Sequence, residues 1–278
     1  MAENKKASSK LDLATVGGIV LALAGMIGGL LLEGGTIKDI GQFTAGIIVL
    51  SGTLGAVLVT TPMRNLQGAG RRLGSVLFEP ELAPDDLLEK MIAYAQKARR
   101  SGLVSLETAA DQEDDLFLKK ALSLAVDGTD LHELRSMMEL DIELAERRAE
   151  KDAKVFETAG GYAPTIGIIG AVMGLIQVMK HLENIEDVGR GIAVAFVATV
   201  YGVASANILF LPAAGKIKAR AHRETELKEM TLDGVVGIVE GVNPKLIRAK
   251  LGAYCQEPGN GKQGASGEEK VPAFGAGD

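Results

Sequence analysis

The stretch AVAFVATVYGVASAN, Ala193–Asn207, carries no charged residue and holds the hydroxyl of Thr199 at its middle. Followed outward, the charge-free run reaches Gly191 on one side and Gly215 on the other. A helix needs roughly 20 apolar residues to cross about 30 Å of hydrocarbon, so this run is long enough to lie in lipid. Three further windows have the same character: Leu13–Leu32, Ile40–Met63 and Thr158–Met179. The pattern predicts an all-α fold, a polytopic membrane protein with four transmembrane helices and a helical cytoplasmic domain.

The windows divide the chain into six segments. A cytoplasmic N-terminus over 1–12 is followed by transmembrane helices 1 and 2 over 13–63 and a cytoplasmic helical domain over 64–157. Transmembrane helices 3 and 4 occupy 158–215, cytoplasmic C-terminal helices 216–256, and a disordered tail 257–278. Basic residues set the orientation, because cytoplasmic flanks of membrane spans carry the positive excess. Lys5, Lys6 and Lys10 precede the first span, Arg64, Arg71 and Arg72 follow the second, Lys151 and Lys154 precede the third, and Lys216, Lys218 and Arg220 follow the fourth. All four clusters fall on one side, which places both termini in the cytoplasm. The first run is too long for the apolar core of a signal peptide, has no Ala-x-Ala site after it, and leads straight into a second span.

Composition narrows the function. A formal charge of −6 and a pI near 5.3 argue against a nucleic-acid partner, since phosphate-neutralising proteins present a net basic face. One cysteine, Cys255, excludes an internal disulfide framework and a thiolate metal cage, which suits a reducing compartment. There is no G-x-x-x-x-G-K-[ST] phosphate cradle. His132, His181 and His222 lie on different segments without zinc-site spacing. No cofactor and no catalytic residue is expected, so the chain does not read as an enzyme.

Between the spans the periodicity is helical. PDDLLEKMIAYAQKARR opens on Pro84 and two acids and spaces Leu87, Leu88, Met91, Ile92 and Ala95 along one face. DQEDDLFLKKALSLAVDGTD predicts a second helix ending at Gly128. From Asp130 to the third span there is no Pro and no Gly, which predicts one long helix running into the membrane. After the fourth span, a helix pair broken at Asn243 and Pro244 is expected.

The spans themselves are rich in small residues, among them Gly167, Gly170, Ala171 and Gly174 in the third and a stripe of Ala195, Thr199, Gly202 and Ala206 in the fourth. Small side chains allow close helix approach in lipid. A stripe with one hydroxyl suits either helix packing, with Thr199 bonding back to its own i−4 carbonyl, or the border of a narrow polar path. A path also needs a group that changes charge or coordinates an ion. The spans contain no Asp, Glu, Lys, Arg or His. A proton-conducting path would therefore take its carboxylate from another subunit.

LDLATVGGIVLALAGMIGGLLLEGG, GGYAPTIGIIGAVMGLIQVMKHLE and GIAVAFVATVYGVASANILFLPAAGKI resemble the signatures of the MotA family, the larger stator subunit of the flagellar motor. Its relatives include PomA and, more distantly, ExbB and TolQ. The resemblance covers nearly the whole chain. It implies a ring of five such subunits in the bacterial inner membrane, surrounding MotB-type single-span chains that each supply a membrane aspartate. It places Thr199 on the ion path, with Pro164, Gly170, Ala171, Gly174 and Tyr201 as further lining positions. Sodium-driven relatives carry a threonine where this chain has Ala171, so the resemblance implies protons as the transported ion. Pro164 matches the family proline at the start of span three, where a first-turn proline is also ordinary helix chemistry. Pro212 matches the proline closing span four, either coupling protonation to the cytoplasmic domain or simply ending the helix. KARRSGLVSLE is similar to the family's rotor-facing segment, which assigns Arg99, Arg100 and Glu107 to contacts with the rotor protein FliG. The alternative is an ExbB/TolQ-type energising subunit of an envelope complex; that group has three spans, and the fourth window speaks against it. A substrate transporter would show discontinuous helices near the midplane, which the spans lack.

Overall fold

The computed structural model describes residues 10–79 and 84–255. The first nine residues, with Lys5 and Lys6, and the expected disordered tail over 257–278 lie outside the described residues. In chain order the elements are β1 (Lys10–Leu11), α1 (Leu13–Leu32), α2 (Ile37–Ile40), α3 (Phe43–Thr60), α4 (Met63–Leu77), β2 (Phe78–Glu79) and α5 (Pro84–Ser101). A 3-10 turn over Leu103–Leu106 leads to α6 (Glu107–Asp111), α7 (Leu116–Val126) and α8 (Leu131–Lys180). Then come α9 (Ile185–Ala204), a π-helical turn over Ser205–Phe210, α10 (Leu211–Val239) and α11 (Pro244–Cys255). The architecture is all-α; the two short strands form a single antiparallel clip, Lys10 opposite Glu79 and Leu11 opposite Phe78.

Four helical segments are long and apolar enough to cross a membrane: Leu13–Leu32, Phe43–Thr60, part of Leu131–Lys180 and part of Ile185–Val239. Their outer faces carry exposed Leu21, Val59, Ile168 and Phe196, side chains that a lipid solvent accommodates and water does not. The protein is a membrane protein. Span one starts where Asp12 caps it, its carboxylate accepting from the Thr15 amide at 3.0 Å. Asn184 caps α9 in the same way, accepting from the Glu186 amide at 3.1 Å.

The chain forms two compact units. The first comprises Met1–Ala83 and Arg135–Glu229. Where its second and third spans end, Val57 and Ala69 pack with Val155 and Ala159, and beyond them Val76 packs with Ala153, Ala213 and Ile217. Asp12 gathers the loose ends of this unit. Its amide donates to Leu77 O at 2.8 Å, and its carboxylate pairs with Lys216 and, at 2.8 Å, with Arg220. Arg220 also donates to Phe78 O at 2.5 Å. The Lys216 ammonium and the Thr15 amide hold the Asp12 carboxyl well below the usual carboxylate range.

The second unit comprises Pro84–Leu134 and Met230–Asp278. Leu88, Met91, Ile92 and Ala95 are buried along α5, the face that the spacing predicts. α5 packs on α11; a Cβ at Gly234 would meet Met91 Sδ at 2.9 Å and Leu251 Cδ1 at 3.2 Å. Lys90 and Tyr94 both bond Glu113, at 2.9 and 3.0 Å. Burial raises the Tyr94 pKa; burial also pushes Glu113 upward, but its bonds to Lys90 and Tyr94 outweigh this and hold it low.

Two expectations are corrected. Pro164 does not stand in a first turn: α8 is continuous over Leu131–Lys180, with Pro164 inside it. The missing amide is the one that would have bonded Gly160 O, and packed membrane helices tolerate such a loss because neighbouring helices and local adjustments support the freed backbone. Nor does Pro212 end the helix, since α9, the π turn and α10 form one unbroken helical rod over Ile185–Val239. A proline ring clashes with the carbonyl four residues back. The π turn lies immediately before it and shifts the hydrogen-bond register there, which lets the rod continue.

Candidate membrane-helix seam and its open edge

The third and fourth spans meet along a seam of small residues. On α8 these are Ala163, Gly167, Gly170 and Gly174; on α9 they are Gly191, Ala195, Ala198 and Gly202, all buried. A Cβ at Gly202 would lie 2.5 Å from Ala163 O, one at Gly167 2.9 Å from Ala198 O, and one at Gly174 2.8 Å from Gly191 O. The obstructing atoms are backbone, which cannot step aside as a flexible side chain can. Glycine is required here by close approach, the usual basis of helix association where lipid removes the hydrophobic drive.

One flank of the seam is closed by α3. Ala45 and Val49 pack with Val197 and Ala198, and Val194 and Tyr201 cover them. A Cβ at Gly170 would meet Ile48 Cγ2 at 3.3 Å as well as Ala198, and one at Gly52 would meet Ile166. Tyr201 lies on this flank: a Cβ on Gly46 would meet its ring at 3.5 Å, and its hydroxyl donates to Ile40 O at 2.5 Å.

The opposite edge carries Thr199. Positions two apart on a helix point about 160° away from each other, so Thr199 and Tyr201 occupy opposite flanks of α9. Thr199 is half-buried, and its hydroxyl donates to Ala195 O at 3.3 Å, the i−4 bond that helix packing predicts. Ala195, Gly202 and Ala206, its companions in the stripe, are buried. The stripe therefore serves packing, with its hydroxyl at the margin. Because the Thr199 proton is used internally, its oxygen can accept a hydrogen bond from outside, from a protonated acid for instance. Pro164 and Ala171, two turns apart on α8, share the half-buried edge turned away from Ile166 and α3, the same edge as Thr199.

The structure thus brings Thr199, Ala171 and Pro164 to one edge. Gly170 and Gly174 lie inside the seam, Gly174 against backbone and Gly170 against the side chains of Ala198 and Ile48, and Tyr201 stands on the α3 flank. Arg99, Arg100 and Glu107 belong to the second unit, at the end of α5 and the start of α6, around a turn made by Gly102 at φ +79°. All three are exposed and pair with no carboxylate or cation among the described residues. The described residues contain no group of His, Cys, Asp and Glu that could hold a metal.

One residue escapes a sequence reading. Thr53, in the middle of α3, is fully buried, and its hydroxyl has no hydrogen-bond partner among the described residues. A lone threonine among Gly, Ala and Val looks like any small packing residue. Only its neighbours show that the usual i−4 bond is missing; Ser51, two residues before, does bond back, to Ile47 O at 2.6 Å.

Comparison with known proteins agrees with this architecture. Residues 16–102 match the family described as Motility protein A N-terminal, and residues 109–230 the MotA/TolQ/ExbB proton channel family. Motility protein A of Bacillus subtilis (strain 168) is 35% identical over 94% of this chain and 100% of its own length. Chemotaxis protein PomA of Vibrio alginolyticus is 32% identical over 89% of this chain and 96% of its own. Among solved structures, C. jejuni MotAB superimposes with a TM-score of 0.85 at 31% identity, over 89% of this chain and 97% of that one. The flagellar MotAB stator complex of Bacillus subtilis gives 0.82 at 34% identity, over 88% and 96%. The family matched over residues 109–230 is one of proton channels and not of enzymes, and similarity of this extent over both halves shows that the chain belongs to the motility protein A family.

Proposed function

We propose that this chain is a flagellar motor stator subunit that, with a MotB-type single-span partner, forms an ion channel converting ion flow into torque on the rotor. The carrying observation is a division of chemistry. The spans hold no Asp, Glu, Lys, Arg or His, yet Thr199 presents a hydroxyl oxygen at an edge that α3 leaves uncovered. The exchangeable carboxylate then comes from the partner, as an aspartate seated against that edge. Both solved relatives are MotAB assemblies, which supports such a partner. Five copies around the partner chains, in the bacterial inner membrane with both termini cytoplasmic, is the arrangement the family resemblance implies.

Protons are the proposed coupling ion. Sodium has to exchange its hydration shell for fixed oxygens, and Ala171 supplies none beside Thr199. Arg99, Arg100 and Glu107 are proposed to meet complementary charges on FliG, where charge sets register and approach. The ExbB/TolQ alternative is the weaker reading, because residues 16–102 match the Motility protein A N-terminal family over the first two spans. The test is proton flux into vesicles. Co-expression with an unplugged MotB-type partner is expected to give flux, and the chain alone none. Flux from the chain alone, or its survival after Asp→Asn in the partner, overturns the borrowed carboxylate.

A further inference from the structure

Just past the end of span two, α4 and α8 enclose a cleft of about 610 Å³. Arg64 and Arg71 of α4 and Arg147, Arg148 and Lys151 of α8 line it, with Asp152 the single acid in its wall. That acid is already neutralised: Arg72 Nε lies 2.9 Å from its carboxylate. Arg147 is held by Glu143 at 2.5 Å. Arg64, Arg71, Arg148 and Lys151 have no carboxylate within ion-pair distance among the described residues. By helical spacing Glu146 and Glu150 lie about 160° around α8 from Arg148; Glu150, about 100° from Lys151, acts on Lys218 instead, and neither acid lines the cleft. Four uncompensated cations around one cavity, in a chain of net charge −6, call for an anion.

The setting favours a membrane source. Arg64 follows Thr60, the last residue of the α3 span, by four positions. Lys151 precedes Thr158, the start of the apolar window, by a helical distance of about 10 Å, which is headgroup depth. α4 is itself an interfacial type of helix. Leu66 packs inward with Val57 and Val155, Met63 and Leu73 are exposed, and the arginines interleave with them. Arginine forks bind phosphate oxygens in pairs, and basic pockets at this depth take anionic headgroups.

We propose that this cleft is a binding site for the phosphate of an anionic phospholipid, of the phosphatidylglycerol class, from the leaflet at which span two ends. Phosphate from solution would satisfy the same chemistry, and a neighbouring copy's acidic segment the same charge; depth and the interfacial helix favour lipid.

The test is native mass spectrometry of the full chain, purified in detergent with its partner and titrated with phosphatidylglycerol or with phosphatidylcholine of identical acyl chains. The expected result is about tenfold more bound phosphatidylglycerol at equal concentration. Combined Arg64→Gln, Arg71→Gln, Arg148→Gln and Lys151→Gln is expected to reduce this to the phosphatidylcholine level, while Arg99→Gln with Arg100→Gln leaves it unchanged. Equal binding of the two lipids by the unaltered chain overturns the proposal without recourse to any variant. So does displacement of the lipid by an equal concentration of inorganic phosphate, which assigns the cleft to a soluble anion. A cleft variant that loses its oligomeric state but keeps the lipid preference makes the cleft a subunit interface instead, and likewise overturns it.

Discussion

Asp12 and Arg220, 208 positions apart, form an ion pair at 2.8 Å at the base of spans one and four. Asp12 is almost fully buried, also takes the Lys216 ammonium, and caps α1. Asp12→Asn retains a capping side chain and removes only the charge. The variant is expected to lose about 2 kcal/mol, the usual contribution of hydrogen bonds to a charged group. Its pH dependence is also fixed. The folded pKa is depressed, so the contribution is complete above the ordinary carboxylate range, near pH 4, and is lost only as pH falls through the folded value. Thermal unfolding in detergent from pH 5 to 8 should therefore show a constant gap between the two proteins; a gap that closes within that range removes the ion pair as its cause.

The seam between α8 and α9 makes a second demand. Gly202→Ala places a methyl 2.5 Å from a backbone carbonyl, whereas Gly17→Ala, in span one, meets nothing within 4 Å. Overpacking of this kind costs about 1 to 3 kcal/mol. Gly202→Ala is expected to reduce thermal stability by that amount and Gly17→Ala to leave it within about 0.5 kcal/mol. Equal effects would mean that the glycines report helix propensity and not close approach.

The spans were legible in the sequence because lipid imposes a length and a composition together, and Leu13–Leu32 coincides with the helix α1. The long helix through Lys151 and Lys154 was legible too, since nothing between Asp130 and Thr158 breaks it. The prolines misled, because rules for helices in water assign Pro164 to a first turn and Pro212 to an end, while packed membrane helices absorb both. The Asp12 cluster was invisible, as its partners lie in the fourth span's continuation, and charge counts record Lys216 and Arg220 only as topology signals. At the candidate edge, residue type found Thr199, but only geometry parts it from Tyr201 and shows Gly170 and Gly174 spent on packing.

Thr199→Val separates packing from transport. The i−4 bond to Ala195 O is long, at 3.3 Å, and within one helix, so its loss should change stability by less than about 1 kcal/mol. The variant should reach the membrane at normal levels and fail to swim when it replaces the native chain, and Thr199→Ser should restore swimming. Normal motility with valine would take the hydroxyl out of the ion path.

Arg99 and Arg100 are exposed in the last turn of α5, where cations favour the helix terminus, and Glu107 starts α6. Arg99→Glu should cost at most about 0.5 kcal/mol of stability yet lower the torque measured on tethered cells. A compensating reversal on FliG should recover part of it. If no FliG reversal among its exposed charges does so, the arginine serves only the helix end.

Thr53→Val tests the buried hydroxyl. An unpaired hydroxyl in an apolar interior costs about 1 to 3 kcal/mol, and valine replaces it with a methyl of the same shape. Since Thr53 Oγ1 has no partner among the described residues, the chain purified alone should become more stable on substitution. In the assembly with its partner the comparison carries information of its own. If the gain in stability persists there, the hydroxyl stays unpaired and swimming should be unaffected. If instead the assembled variant melts lower than the unaltered complex, the Thr53 hydroxyl has acquired a hydrogen bond on assembly, and span two joins the set of elements that respond to the partner.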